Sequence, residues 1–472
     1  MSNAPAHAWL AKSAVELHEA YRGRALSPLD LAEALLEAVA TDAYGLNAFC
    51  IVDRDATLRG AEASARRWRS GTPIGPLDGI PVSVKDMTDV AGWVSRRGSM
   101  LTEGAGPAAA DAPSVALLRQ GGAVLFGKTA TAEFGWLADS YSAHTGITQN
   151  PRAPGRSAGG SSMGAAAHVA QGWGPIALGS DAGGSIRIPA SYCGLVGLKP
   201  TYGAVPSGPT LSAFSEFAHL GPLTRTVADC RLAMQVMGRP HVHDPHSLYN
   251  RDQDLAPRQL TIGLMADAGA DTGLDPAVAA AIEALDARLA RKGHTIRRIR
   301  MDWVALAEDF WTVWQTRLYE SFVDLAPAQM ARLDPRLQQL CAWGAAIDGR
   351  SLGRARARLR GAIAELTLLF ADIDLLLSPA SPAGAPEVGA LCADTHPLCD
   401  RIRQTYNWQL ANPYSFPFNL TQQPALSLPA LQDGAGLPVG LQIVGRKYRD
   451  GDVLDFAQML ESTRLLEESD HA

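Results

Sequence analysis

Apolar positions in the first seventy residues recur at three- and four-residue intervals, the pattern of helices laid with one face on a core. Each run carries its own start signal. Ser13 with Glu16 reads as a capping box, and Ser27 with Pro28 and Asp30 as a close relative of one. A third helix is predicted over 56–69. The period changes at residue 80, where Ile80, Val82 and Val84 alternate with Pro81 and Ser83 and predict a strand carrying Lys85 at its end. A helix over 113–120 and the apolar GAVLFG follow, then a glycine-rich stretch. From Leu260 onward the pattern predicts a strand at TIGLM, a helix over 276–291, a strand over 294–298, a largely helical region over 302–371, and late strands over 373–379 and 437–445.

This alternation predicts an α/β protein: a single large domain with a central mixed twisted sheet covered by helices on both faces. No linker, charge block or internal repeat separates the parts, so 1–472 reads as one domain. Its N-terminal helices fall within 1–60, the candidate chemistry within 75–230, and a helical region within 300–371.

Composition narrows the function classes. Hydrophobic residues make up 47% of 472, ample for a large core, and a net charge of −6 offers no general attraction to nucleic acid or to an anionic membrane. A small-molecule partner is favoured. No apolar run reaches the length of a membrane span, and the first residues lack the basic and apolar regions of a signal peptide, so a cytoplasmic protein is expected. The cysteines at 50, 193, 230, 341, 392 and 399 form no CxxC pair, which suits reduced thiols. A homodimer is compatible with all of this.

The candidate site is the run from Gly159 to Pro200, which places Ser161 and Ser162 in one glycine-rich cluster and Ser185 in another. Glycines at 159, 160, 164, 183 and 184 permit positive φ and close approach to a bound group. A flexible linker is the bland alternative, but linkers do not carry Ile176, Leu178, Ile186, Ile188, Leu195, Val196 and Leu198 between their glycines. A serine hydroxyl is a weak nucleophile and needs a neighbouring base. No acid and histidine pair stands in register. Lys85 can serve when neutral, which requires burial to pull its pKa down from about 10.4. Asp86, beside it, is positioned to hold it charged instead.

GIPVSVKD around Lys85, GGSS at 159–162 and GGSIR at 183–187 together resemble the amidase signature family, and the resemblance runs from SAVELHEAYRG near the start to LPVGLQIVGR near the end. Met163 departs from the glycine usual after the paired serines. The resemblance implies that Ser185 is the nucleophile, Lys85 the base, and Ser161 a relay between them in a cis peptide after Gly160. It further implies that Ser162 supports Lys85 by a hydrogen bond. The backbone N–H groups of Ala182, Gly183, Gly184 and Ser185 are the natural oxyanion hole. Asp181 and Arg187 flank that turn with opposite charges and are read as holding it, against the plainer reading of a surface ion pair. The implied activity is hydrolysis of a carboxamide without metal or organic cofactor. The region 300–371 is where the family varies its substrate cavity, and Trp303, Trp311, Trp314 and Tyr319 there fit either core packing or a pocket for an apolar amide.

Other motifs point elsewhere and are weaker. GAVLFGKT at 122–129 matches the phosphate-loop pattern, but Val124, Leu125 and Phe126 are strand-like where a phosphate cradle needs turn formers; Lys128 is read as structural or surface-exposed. Gly160 to Gly164 fits GxSxG, which would make Ser162 the nucleophile with His219, His294 or His396 as partner, yet no strand precedes it. His241, His243 and His246, with Asp244, lie in a loop-like segment without metal-ligand spacing. Arg354, Arg356, Arg358 and Arg360 read as a solvated helix face. Within the resemblance, the alternative is the amidase subunit of a glutamine-dependent tRNA amidotransferase; EFGWLADSYSAHTGITQNP does not look like that subunit's version. A catalytically inactive scaffold would be expected to have lost Lys85, Ser161 or Ser185, and all three stand.

Overall fold

A computed structural model describes residues 6–208, 214–247, 259–269 and 271–463. Its strands are β1 (Phe49–Val52), β2 (Pro81–Lys85), β3 (Val124–Thr129), β4 (Tyr141–Ser142), β5 (Gly146–Ile147), β6 (Ile176–Asp181), β7 (Val196–Lys199), β8 (His219–Thr224), β9 (Thr261–Leu264), β10 (Thr295–Arg298), β11 (Leu375–Pro379), β12 (Ala425–Gln432) and β13 (Pro438–Gly445). Eleven of these build one sheet in the order β1-β3-β2-β6-β8-β7-β12-β13-β11-β9-β10, and β4 pairs with β5 in a separate hairpin. The sheet is mixed. β2 runs parallel to β3 and β6, and β9 parallel to β10 and β11, while β6, β7, β8, β12 and β13 pair antiparallel through its centre.

Strand parity divides the core, because successive side chains point to opposite faces. Val82, Val84, Ile176 and Leu178 pack on one face with the helices Ala14–Arg22, Pro28–Thr41 and Pro113–Gln120. Ala177 turns the other way, into a cluster with Met163, Ala165, Ala166 and Val169 of the helix Met163–Gln171. The far half repeats the division. Leu375 and Leu377 meet the helices Pro276–Arg291 and Asp450–Thr463, whereas Leu376 meets Leu366 and Phe370 of the helix Gly349–Asp372. Helices thus cover both faces of the sheet, as the alternating pattern predicts.

The helices Pro113–Gln120 and Pro276–Arg291 match the sequence-based boundaries, and the Ser13–Glu16 capping box forms with both reciprocal bonds. Ser27 caps Leu29 N–H without the reciprocal half. Within GAVLFGKT, Val124–Thr129 is a buried strand that includes Lys128. Two buried helices, Met163–Gln171 and Arg187–Cys193, lie inside the glycine-rich stretch where the sequence pattern shows none. They are buried all round, so neither carries the polar face that makes a helix legible. Met163 accordingly begins a helix and fills its core, and does not shape a loop.

Candidate active site

Parity also decides which side of β2 bears chemistry. Ser83 and Lys85 point away from Val82 and Val84, toward the buried helix Met163–Gln171, and Ser83 Oγ lies 2.7 Å from His168 Nε2 on that helix. Gly164 lets this helix sit directly against the end of β3, where a β-carbon would come 2.6 Å from Ala130 N. The turn leading into the helix is thereby brought over the end of β2. There Lys85 Nζ donates to Ser161 Oγ at 2.8 Å and to the Ser180 carbonyl at 3.3 Å. The Gly160–Ser161 peptide is cis. A side chain on Gly160 would collide with Leu137 O and the backbone of Asp139, at 2.5 to 2.6 Å, so the segment 137–139 forms a wall behind it.

Lys85 is fully buried, and burial lowers its pKa from the usual lysine range to about 7; Asp181 opposes this from a distance. Asp86 does not hold the lysine charged. Its carboxylate pairs instead with Lys128 Nζ at 2.8 Å, both groups buried, which makes Lys128 structural and leaves Lys85 without a direct counter-ion among the described residues. Ser162 supports Lys85 only indirectly: its Oγ donates to the same Ser180 carbonyl at 3.2 Å. No direct bond joins Ser162 to Lys85 among the described residues.

Ser185 follows β6 through the turn 182–185 and is buried. Asp181 organises this turn. Its carboxylate accepts from the N–H of Gly184 at 2.7 Å and of Ile186 at 3.2 Å, so the Gly184 N–H, expected in the oxyanion hole, is already engaged. The carbonyl of the same peptide is held too, by Ser415 Oγ on Gly183 O at 2.6 Å. The N–H groups of Ala182, Gly183 and Ser185 make no hydrogen bond among those described. Likewise the Ser185 hydroxyl has none, and the contact from Ser161 to Ser185 is not closed; the nearest link is Ser162 N–H to Ser185 O at 3.3 Å.

Asp181 and Arg187 are not a surface pair. Both are fully buried and joined through two bonds, Nη2 to Oδ1 at 2.9 Å and Nε to Oδ2 at 3.0 Å. Burial by itself would push the Asp181 carboxyl up, but the Arg187 guanidinium and the Asn419 amide outweigh it and hold it well below the usual carboxylate range. Arg187 also donates to Ser415 O at 2.7 Å, Gln442 Oε1 at 2.8 Å and Asn419 Oδ1 at 2.7 Å. Sequence reasoning missed Ser415, Asn419 and Gln442. A faint signal exists for one: Gln442 interrupts the apolar strand LPVGLQIVG.

The remaining candidates fall elsewhere. His219 is buried, with Nδ1 2.7 Å from Phe217 O, and burial together with Lys199 drives its pKa well down. His241 and His243 meet edge-on in a surface segment, and among the described residues no group of three or more His, Cys, Asp or Glu side chains is arranged to hold a metal. Arg358 pairs with Asp309, while Trp303, Trp311 and Trp314 are all buried. Trp314 meets Trp408 edge-on at 5.7 Å, and Trp408 in turn packs beside Gly183.

A family model described as Amidase matches residues 30–454. An acylamidase of Rhodococcus erythropolis is 34% identical over 465 residues, covering 97% of this chain and 96% of its own. One subunit of a glutamyl-tRNA(Gln) amidotransferase from Neisseria meningitidis is 31% identical, covering 93% and 95%. Among solved structures, a bacterial aryl acylamidase of the amidase signature enzymes superposes with a TM-score of 0.83 at 26% identity, covering 97% of this chain and 98% of that one.

Proposed function

This chain belongs to the amidase family and is an amidase acting on C–N bonds, and from that premise we propose that it works through a seryl acyl-enzyme on Ser185, with Lys85 as base and Ser161 as relay. The observation that carries this reading is the 2.8 Å bond between Ser161 and a buried lysine whose pKa falls to about 7. A lysine tuned so far down is neutral over much of the physiological range and can accept a proton.

In this scheme Ser185 Oγ attacks the amide carbonyl as its proton passes to Ser161 Oγ and the Ser161 proton passes to Lys85 Nζ. The free N–H groups of Ala182, Gly183 and Ser185 face the oxygen that gains charge, and such donors contribute roughly 3 to 4 kcal/mol each. The chain of transfers then reverses: Lys85 returns a proton through Ser161 to the leaving nitrogen, and ammonia or an amine departs. Water takes the nucleophile's place on the acyl-enzyme and releases the acid and Ser185. The Ser161 to Ser185 contact closes when substrate binds, since catalytic hydrogen bonds are often long before the Michaelis complex forms. Asp181 and Arg187 hold the turn that presents these donors.

The test is where a covalent probe attaches. A fluorophosphonate should label Ser185, and mass spectrometry of the labelled peptide reads the site. Ser185→Ala should abolish labelling, and Ser162→Ala should slow turnover without moving the adduct. An adduct on Ser162 overturns the mechanism. The likeness to an amidotransferase subunit keeps a second reading in view, that of one member of a larger assembly.

A further inference from the structure

The Gln409 side chain lies beside the turn 182–185. It sits in the short helix Trp408–Ala411, is fully buried, and neither Nε2 nor Oε1 of its amide has a partner among the described residues. The carboxamide is directed at Gly183: a β-carbon there would come within 2.6 Å of Gln409 Nε2 and 3.0 Å of the Trp408 ring. Buried amides are ordinarily satisfied, and leaving one unpaired costs on the order of 1 to 3 kcal/mol. Gln442 and Asn419, the two carboxamides that bond Arg187, obey the rule. Gln442 accepts from Arg187 and donates to Ser378 Oγ and Tyr414 O, and Asn419 accepts from Arg187 and donates to Asp181 and Phe217 O. Of these three, Gln409 is the one whose donor and acceptor both remain open, beside Gly183.

We propose that Gln409 is a substrate-binding residue that hydrogen-bonds a second, primary amide in the substrate, close to the amide that is cleaved. The pairing follows from the chemistry of the group. A carboxamide presents one acceptor and one donor-bearing nitrogen side by side, and its complement is a primary amide, whose carbonyl accepts from Nε2 while the N–H on the same edge donates to Oε1. A developing oxyanion would satisfy Nε2 alone and leave Oε1 orphaned. The edge of Trp408 beside the same glycine supplies an apolar wall for the carbon skeleton between the two amides. This inference rests on the amide-hydrolysis reading and refines the class of substrate.

Two substrates of matched shape test it: butanediamide, and 4-methylpentanamide, in which one carboxamide is replaced by an isopropyl group. Wild-type enzyme should show kcat/KM roughly tenfold or more higher on butanediamide, since a site built around polar groups rejects an analogue lacking them. Gln409→Met, nearly the same shape, should lower kcat/KM on butanediamide roughly ten- to hundredfold, and leave 4-methylpentanamide within about threefold. An equal loss on both substrates, or no loss on either, overturns the assignment. Should that variant fail to fold, a wild-type preference that is absent or reversed overturns it equally. Wild-type enzyme that cleaves both amides without discrimination leaves amide hydrolysis standing and removes only the role of Gln409, whereas cleavage of neither removes both.

Discussion

At the scale of single residues, the proposed role of Lys85 as base ties the pH dependence of activity to its pKa. Burial lowers it to about 7, so the neutral, proton-accepting form is lost as pH falls through that value. The profile of kcat/KM should rise through about pH 7 and fall tenfold per unit below it. Folding is linked in the same direction: the unfolded lysine holds its proton up to about 10.4 and the folded one releases it above about 7, so this group adds stability as pH rises between the two. A Lys85→Met variant should lack that increment, which denaturant midpoints at pH 7 and 9 would read. Lys85→Ala should lose roughly 10²- to 10⁴-fold in turnover while keeping its circular dichroism spectrum. Undiminished hydrolysis in that variant removes the base.

At the scale of elements, the site depends on backbones packed more closely than side chains allow. β8 passes between β6 and β7, and a β-carbon on Gly221 would collide with Leu198 O of β7. Gly221→Ala should therefore force β8 away from β7, beside the strand β6 that leads into the turn 182–185, and destabilise by roughly 1 to 3 kcal/mol, seen as a lowered Tm. The Lys128–Asp86 pair ties the end of β3 to the end of β2 just beyond Lys85. Lys128→Met would leave Asp86 buried and uncompensated, at a cost of about 3 to 5 kcal/mol. If instead that variant unfolds at the wild-type denaturant concentration, the pair has no structural role.

At the scale of the whole molecule, one sheet brings together segments remote in sequence. Lys85 comes from β2, Ser161 from the entry to a buried helix, and Ser185 from the turn after β6, while Ser415, Asn419 and Gln442 close in from the C-terminal part. All of the proposed reacting groups come from one chain. The purified protein alone should accordingly hydrolyse simple carboxamides with no ATP and no further protein. Ammonia release that appears only when both are supplied would favour the amidotransferase reading.

Local signals point to the capped helices, to strand β2 and to the residues proposed to react. Ser13 with Glu16, the alternation of Val82 and Val84 against Ser83 and Lys85, and the glycine clusters around Ser161 and Ser185 each depend on neighbours a few positions away, and each is readable without coordinates. What depended on distant partners was not. Asp86 next to Lys85 looks like its counter-ion, and only packing of β3 beside β2 shows that Lys128 takes it. The Gly184 N–H looks free until Asp181 folds back onto it. Asp181 and Arg187 are legible as a pair flanking the turn, but their enclosure by Asn419, Ser415 and Gln442, more than two hundred positions later, is not. Gln409 carries no motif at all; its meaning lies in being buried against Gly183 with both amide atoms open. Periodicity and turn chemistry record what a residue does with its near neighbours, whereas burial and hydrogen-bond satisfaction are properties of the assembled core, and the core exists only once the strands have paired.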